Sequence, residues 1–247
     1  GSRLPCRLHH HGGSAQEIMI YRRLQRLLPG FLRRHLLYFE HQAGQAVKDF
    51  ARSLSDGAHV LDAGAGEGAY RHCFGRQRYV GLDLGVGDAN WNYRRLDVIG
   101  DLAALPFRDG AFDACLNIVT LEHVREPARV LREVARTLAP GGRLLLVVPQ
   151  EWEVHQAPHD YYRYTRFGCA WLLDQAGFDE CDIRPVGGYF RLLSRRLLNG
   201  LQFFPGILFP FAALLLAPPA LVAPLFDALD RRREFTLGYI CTAQKRS

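Results

Sequence analysis

The sequence predicts an α/β fold, a doubly wound and mostly parallel sheet with helices on its faces. From His59 onward, short apolar runs rich in β-branched residues alternate with helical stretches. Several of these runs are apolar at consecutive positions, which is what strands covered on both faces require. The length of 247 residues allows one such domain with additions rather than two large ones. With 48% hydrophobic and 23% charged residues, a disordered chain, a collagen-like repeat and a small disulfide scaffold are excluded.

Residues 1–57 are expected to form a tail followed by basic helices, and residues 58–247 the main domain. Residues 17–54 carry apolar side chains at three and four spacings, broken at Pro29 and Gly30, with Arg22, Arg23, Arg26, Arg33 and Arg34 in the gaps. His9, His10 and His11 sit in a Gly-flanked polar stretch and are read as a solvated tail. Five strands are then predicted at 59–64, 79–84, 96–100, 112–119 and 143–149. Between the first two, residues 69–78 leave room for a helix of about two turns. The clearest helix is 126–138, with Val130, Leu131, Val134 and Leu138 on one face and Pro140, Gly141 and Gly142 stopping it. Thr165 reads as the N-cap of a helix that ends at Gly177. Two more strand candidates follow, at 181–186 and 237–243.

The first strand runs into DAGAGEGAY at 62–70. Gly64, Gly66 and Gly68 permit a tight turn and the close approach of a ligand to the backbone. The second strand ends at Asp83, where a carboxylate can accept from both hydroxyls of a ribose. These two features alone also fit a dinucleotide-binding oxidoreductase that uses NAD. The stretch that follows, GDLAALPFRDGAFDACLNIVTLEHV and then VLREVARTLAPGGRLLLVVP, separates the two.

At these residues, over about 60–186, the chain resembles the class I S-adenosylmethionine-dependent methyltransferases of small-molecule type, with their D-x-x-x-L-P-F and F-D motifs. The resemblance implies a Rossmann-like, seven-stranded sheet with an antiparallel last strand, and S-adenosylmethionine as cofactor. It also assigns roles: Asp62, Gly64, Ala65 and Gly66 around the methionine part, Asp83 on the ribose, Asp101 on the adenine amino group, Leu84 and Leu102 flanking the ring, and Asn117 and Ile118 beneath the sulfonium. Asp113 is expected to tie a loop. Where base-amine methyltransferases carry an Asp or Asn, two prolines and an aromatic, this chain reads NIVT, so nucleic acid is not expected as a partner. The charge distribution agrees, because residues 58–185 sum to −4 while each flank carries +5.

Ligands of such sheets sit beyond the carboxyl ends of the strands. Two loops there carry chemistry: TLEHV with Glu122 and His123, and QEWEVHQAPHDYYRYT with His155, His159, Asp160 and Arg163. The second resembles a stretch of a bacterial methyltransferase subgroup associated with cell-surface glycan or lipid pathways, an analogy only. A histidine oriented by a carboxylate suits removal of a proton from an acceptor hydroxyl, so His159 with Asp160 and His123 with Glu122 are the catalytic candidates; a structural clasp that fixes the loop on the following helix is the other reading of Asp160, Tyr161, Arg163 and Thr165. The six cysteines are scattered singly and no zinc-ligand spacing occurs, so a reduced, cytoplasmic compartment and no metal are expected.

Residues 197–226 contain no charge. That length suffices to cross a bilayer. Five prolines should break a straight helix, however, and the last strand must return to the same sheet. Arg195 and Arg196 before the run and Arg231 to Arg233 after it put both ends on one, cytoplasmic face. The insertion, about 192–233, is therefore expected to be a broken helical hairpin on the acceptor side. It would make a peripheral membrane contact that presents a small-molecule, lipid or lipid-linked acceptor; an apolar lid or a dimer interface is the alternative. A catalytically silent, membrane-associated cofactor binder is the competing class without chemistry.

Overall fold

The computed structural model describes residues 34–35, 37–87 and 91–247. The first half of the expected N-terminal helices and the three N-terminal histidines lie outside these residues. Within them, the N-terminal segment forms α1 (Tyr38–Arg52), which buries Phe39, Ala43, Val47, Phe50 and Ala51 at helical spacing.

Seven strands follow: β1 (His59–Ala63), β2 (Arg78–Asp83), β3 (Val98–Ile99), β4 (Phe112–Ile118), β5 (Leu138–Pro149), β6 (Phe178–Val186) and β7 (Gly238–Lys245). They form one sheet in the order β3-β2-β1-β4-β5-β7-β6. Only β7 runs against its neighbours, and it pairs with both β5 and β6. The sheet predicted from the sequence is therefore the one observed.

Helices α2 (Pro127–Thr137) and α3 (Arg166–Gln175) cover one face. Their Val130, Leu131, Val134, Cys169 and Leu173 pack on Leu61, Leu82, Leu144 and Leu146. Helix α1 covers the other face, against Val60, Leu116, Leu145 and Val147. Alternate residues of β4 and β5 thus feed opposite cores, which explains their unbroken apolar sequence. Thr165 caps α3 as expected, its Oγ accepting from the Gly168 N–H at 3.1 Å.

One expectation fails between β1 and β2. Instead of a two-turn helix, only a 3₁₀ turn at Arg71–Cys73 is present. The turns before it use up the link: Gly64, Gly66 and Gly68 all have positive φ, and three residues remain for the helical turn.

The insertion between β6 and β7 is helical and folded back. It comprises α4 (Tyr189–Gly200), two 3₁₀ turns at Leu201–Phe203 and Gly206–Leu208, α5 (Phe209–Val222), and a 3₁₀ segment at Ala223–Leu229. The prolines act unequally. Pro210 and Pro224 stand in the first turn of their helices, where no N–H partner is required. Pro218 and Pro219 lie inside α5 without ending it, contrary to the expected break. The two arms are fastened at the base of the hairpin. Asp227 accepts from the Gly188 and Arg191 N–H groups at 3.1 Å each, and Asp230 accepts from the Tyr189 N–H at 2.8 Å. Two acidic residues from the returning arm therefore cap the N-terminus of α4, which keeps both ends of the insertion on one side.

Candidate functional site

The glycine turn after β1 is held by backbone. The N–H groups of Gly64 and Ala65 both donate to the Leu82 carbonyl, at 2.8 and 3.0 Å. Gly64 has φ +95°, and a Cβ there would stand 2.3 Å from the Thr120 methyl carbon, so no other residue fits. Asp83, at the end of β2, accepts from the Gly66 N–H at 3.0 Å through one oxygen and from the Gly85 N–H at 2.9 Å through the other. A carboxylate has about four acceptor positions, so two remain for ligand hydroxyls.

Asp101 is exposed and one oxygen accepts from the Ala103 N–H at 2.8 Å, while Leu102 beside it is buried and Leu84 is half exposed. Asn117 is buried. Its amide nitrogen donates to the Ala63 carbonyl at 2.7 Å, and its Oδ1 has no partner among the described residues. Ile118 is buried next to it, and Val119 has φ +52°, a strained conformation for a β-branched residue.

Asp62 does not line the cradle. It is buried beneath it, where Tyr79 of β2 donates to its Oδ2 at 2.5 Å, and burial pushes its carboxyl up to about 7. Its role is to support the turn from below. Asp113 ties a loop, accepting from the His59 N–H at 2.8 Å.

Residues 61–146 match a family model described as methyltransferase domain. Residues 61–146 thus form a methyltransferase domain of the S-adenosylmethionine-dependent type. It is 31% identical over 137 residues to a probable S-adenosylmethionine-dependent methyltransferase of Mycolicibacterium smegmatis, covering 51% of this chain and 50% of that one. It is also 31% identical over 134 residues to the tRNA (carboxymethyluridine(34)-5-O)-methyltransferase of Xenopus tropicalis, covering 49% of this chain and 20% of the relative. The chain thus spans half or less of the length of these relatives. Among solved structures, a [4+2]-cyclase, SpnF, superposes with a TM-score of 0.55 at 23% identity over 83% of each chain, a likeness of fold.

The Xenopus relative corrects one expectation. Nucleic acid was excluded as a partner on the acidic central domain and the missing amine-gripping motif, and neither ground holds. That relative is named as a methyltransferase acting on oxygen, which needs no grip on a base amine. Net charge also averages over a domain, whereas a phosphate track needs only local cations, and both flanks of this chain are basic.

The residues of the methyltransferase domain fit its cofactor. Gly64, Gly66 and Gly68 hold the tight, positive-φ turn that lets a ligand approach the backbone, Asp83 keeps acceptor capacity for a ribose, and Asn117 Oδ1 awaits a donor. S-adenosylmethionine supplies a methyl carbon already activated by sulfonium. The tasks of the chain are to hold and align the acceptor and to take up one proton where the nucleophile carries it. Sequence reading missed Trp91, whose ring packs over Gly66, and Thr120, which fills the space beside Gly64 and contacts its carbonyl at 3.2 Å. An aromatic residue within ten residues of Asp83 was the available signal for Trp91.

On the acceptor side one of the two expected pairs, His159 with Asp160, is not formed. Asp160 does not face His159. It receives two hydrogen bonds from Arg163, at 2.7 and 2.8 Å, and one from the His155 N–H at 2.9 Å. Although burial raises its carboxyl, these bonds and the His155 ring hold it below the usual range. Arg163 also donates to the Trp152, Glu153 and Tyr162 carbonyls, so Asp160 and Arg163 clasp the loop. The exposed His159 ring meets the Tyr161 hydroxyl at 3.1 Å instead. Sequence neighbours in an extended loop point apart, which defeats pairing by adjacency.

His123 stands 3.8 Å from Glu122, beyond hydrogen-bond reach, and burial lowers its imidazole. Its Nδ1 contacts the His159 carbonyl at 2.6 Å. Glu122 is fully buried, and burial pushes its carboxyl up to about 8. His155, absent from the expected catalytic set, completes this group, its Nε2 lying 3.9 Å from Glu122.

The insertion lies against this loop. Arg195 of α4 stacks on Trp152 at 3.5 Å and pairs with Glu153 at 3.1 Å, while Arg196 pairs with Glu151 at 3.4 Å. His35 reaches the far arm, its Nε2 standing 3.0 Å from the Leu221 carbonyl.

Proposed function

We propose that the protein transfers the methyl group of S-adenosylmethionine to a lipid or lipid-linked glycan presented at the cytoplasmic face of a membrane. The observation that carries this reading is the surface of the insertion. The helical run Gly206–Leu229 is long and apolar enough to cross a membrane, yet only 17% of its apolar window is buried. Ile207, Phe211, Leu214, Leu215 and Leu225 are each at least two-thirds exposed. So large an apolar patch marks a surface that another apolar phase covers. The base of the hairpin is fixed by Asp227 and Asp230, so the run dips into one leaflet and returns. Because α4 grips the 150–165 loop through Arg195 and Arg196, the patch is coupled to the acceptor side of the domain.

Flotation of the full chain with anionic liposomes tests the reading. Wild type is expected in the lipid fraction, and the triple variant Phe211→Ser, Leu214→Ser, Leu215→Ser in the soluble one. Wild type remaining below the liposomes would overturn it. A tRNA acceptor is the second reading, favoured by the Xenopus relative. It predicts methyl label in tRNA and no effect of the triple variant on turnover.

A further inference from the structure

We propose that Glu122, His123 and His155 form a binding site for a divalent cation of the zinc type, beside the cofactor cradle. The three side chains come from two loops, at the carboxyl ends of β4 and β5, and their ligand atoms all lie within 4.8 Å of one another. Both imidazoles turn Nε2 toward Glu122 Oε1, at 3.8 and 3.9 Å. These distances are too long for hydrogen bonds. Ligands each ~2.1 Å from one tetrahedral ion stand about 3.4 Å apart, so a small inward rotation closes the site.

The pattern of satisfied and unsatisfied atoms points the same way. Glu122 Oε1, Glu122 Oε2 and His123 Nε2 are buried and have no hydrogen-bond partner among the described residues. A proton on Glu122 would neutralise the carboxyl but leave the His123 nitrogen unmatched, whereas a cation satisfies both. The remote nitrogens are occupied. His123 Nδ1 donates to the His159 carbonyl at 2.6 Å, and His155 Nδ1 lies 3.1 Å from the Glu153 carbonyl and 3.5 Å from Asp160 Oδ2. An imidazole that gives its Nδ1 proton to an oxygen presents Nε2 as a lone pair, the form a metal takes. Asp160 is in turn held by Arg163. It is therefore a positioning residue, and the clasp also sets the orientation of His155.

Two imidazoles and one carboxylate leave at least one coordination position open. Thr120, two residues before Glu122, packs against Gly64, so the loop that carries two of the three ligands also contacts the glycine turn. The function of the ion rests on the proposed methyl transfer; its binding does not. At the open position an acceptor hydroxyl would bind through oxygen and lose its proton to water. Its lone pair would form the O–CH₃ bond while the C–S pair returns to sulfur, giving S-adenosylhomocysteine. The acceptor class is thus a hydroxyl compound.

The test uses the full chain with His9, His10 and His11 replaced by Gln, stripped with a chelator and titrated with Co²⁺ under visible spectroscopy, followed by Zn²⁺ displacement. One ion per chain is expected, with the absorption of a low-coordinate nitrogen–oxygen site. Glu122→Gln and His155→Gln should each weaken binding by on the order of 100-fold, and Asp160→Asn by about tenfold. His155→Gln, on a partly exposed loop, keeps the result readable if Glu122→Gln fails to fold. Less than one Co²⁺ per chain, or equal affinity in folded variants, would overturn the site. Ion binding without lipid methylation would remove the acceptor reading and leave the site intact.

Discussion

The cofactor cradle and the acceptor side handle their polar groups in opposite ways. Around Gly64 and Asp83, the Gly64 and Ala65 N–H groups are matched by the Leu82 carbonyl and both Asp83 oxygens by backbone N–H groups, so the turn geometry is fixed before any ligand arrives. Around Glu122, buried oxygens and a ring nitrogen are unmatched, and the neighbouring insertion shows apolar side chains to solvent. One half is preorganised for a constant ligand, while the other is completed only by what binds it.

The largest expected effect breaks the preorganised half. Gly64→Ala forces a Cβ into Thr120 at a φ that alanine rarely adopts, at a cost of about 3 kcal/mol or more. Cofactor affinity by calorimetry should fall at least 100-fold. Adding Thr120→Ala should recover part of the stability but not all, since the positive φ remains. Full recovery would show that the clash alone matters.

Next in size is the buried carboxyl beneath the turn. The carboxyl of Asp62 is raised from 3.8 to about 7, so the fold disfavours its charged form. Stability should fall as pH rises from about 4 to about 7 and then level off. Asp62→Asn removes this dependence. In denaturant titrations it should match wild type at pH 4 and exceed it at pH 8 by roughly 2–4 kcal/mol. An equal difference at both pH values would contradict the assignment. Asp83→Asn sets an amide nitrogen against one of the two backbone N–H groups that the carboxylate accepts, so it should lower stability by about 1–3 kcal/mol and weaken cofactor binding roughly 10- to 100-fold. The smallest effect on stability belongs to the insertion surface. Phe211→Ser, Leu214→Ser and Leu215→Ser should each shift unfolding by less than about 0.5 kcal/mol, because the sites are exposed, while abolishing flotation together.

The two halves also differed in how far the sequence revealed them. Strand periodicity, the Thr165 cap and the ordered motifs from Asp62 to Val148 encode local geometry, and the sheet followed from them. The glycine turn and the strand-end carboxylate were legible as structure because both act near their own position in the chain. Asp62 was misplaced because its partner, Tyr79, comes from the adjacent strand. The acceptor side depends on contacts between loops: His155 meets Glu122 across 33 positions, and Asp160 turns to Arg163 rather than to its neighbour His159. By local propensity Pro218 and Pro219 break a helix, yet α5 runs through both. Charge balance misled for nucleic acid because it carries no information on where the charges sit.

Incubating the full chain with methyl-labelled S-adenosylmethionine, a bacterial total lipid extract and total tRNA in one reaction tests the proposed acceptor most directly. Label is expected in the organic phase, reduced in the Phe211, Leu214, Leu215 variant although its cofactor affinity is unchanged. Label confined to tRNA, and equal in both proteins, would contradict it.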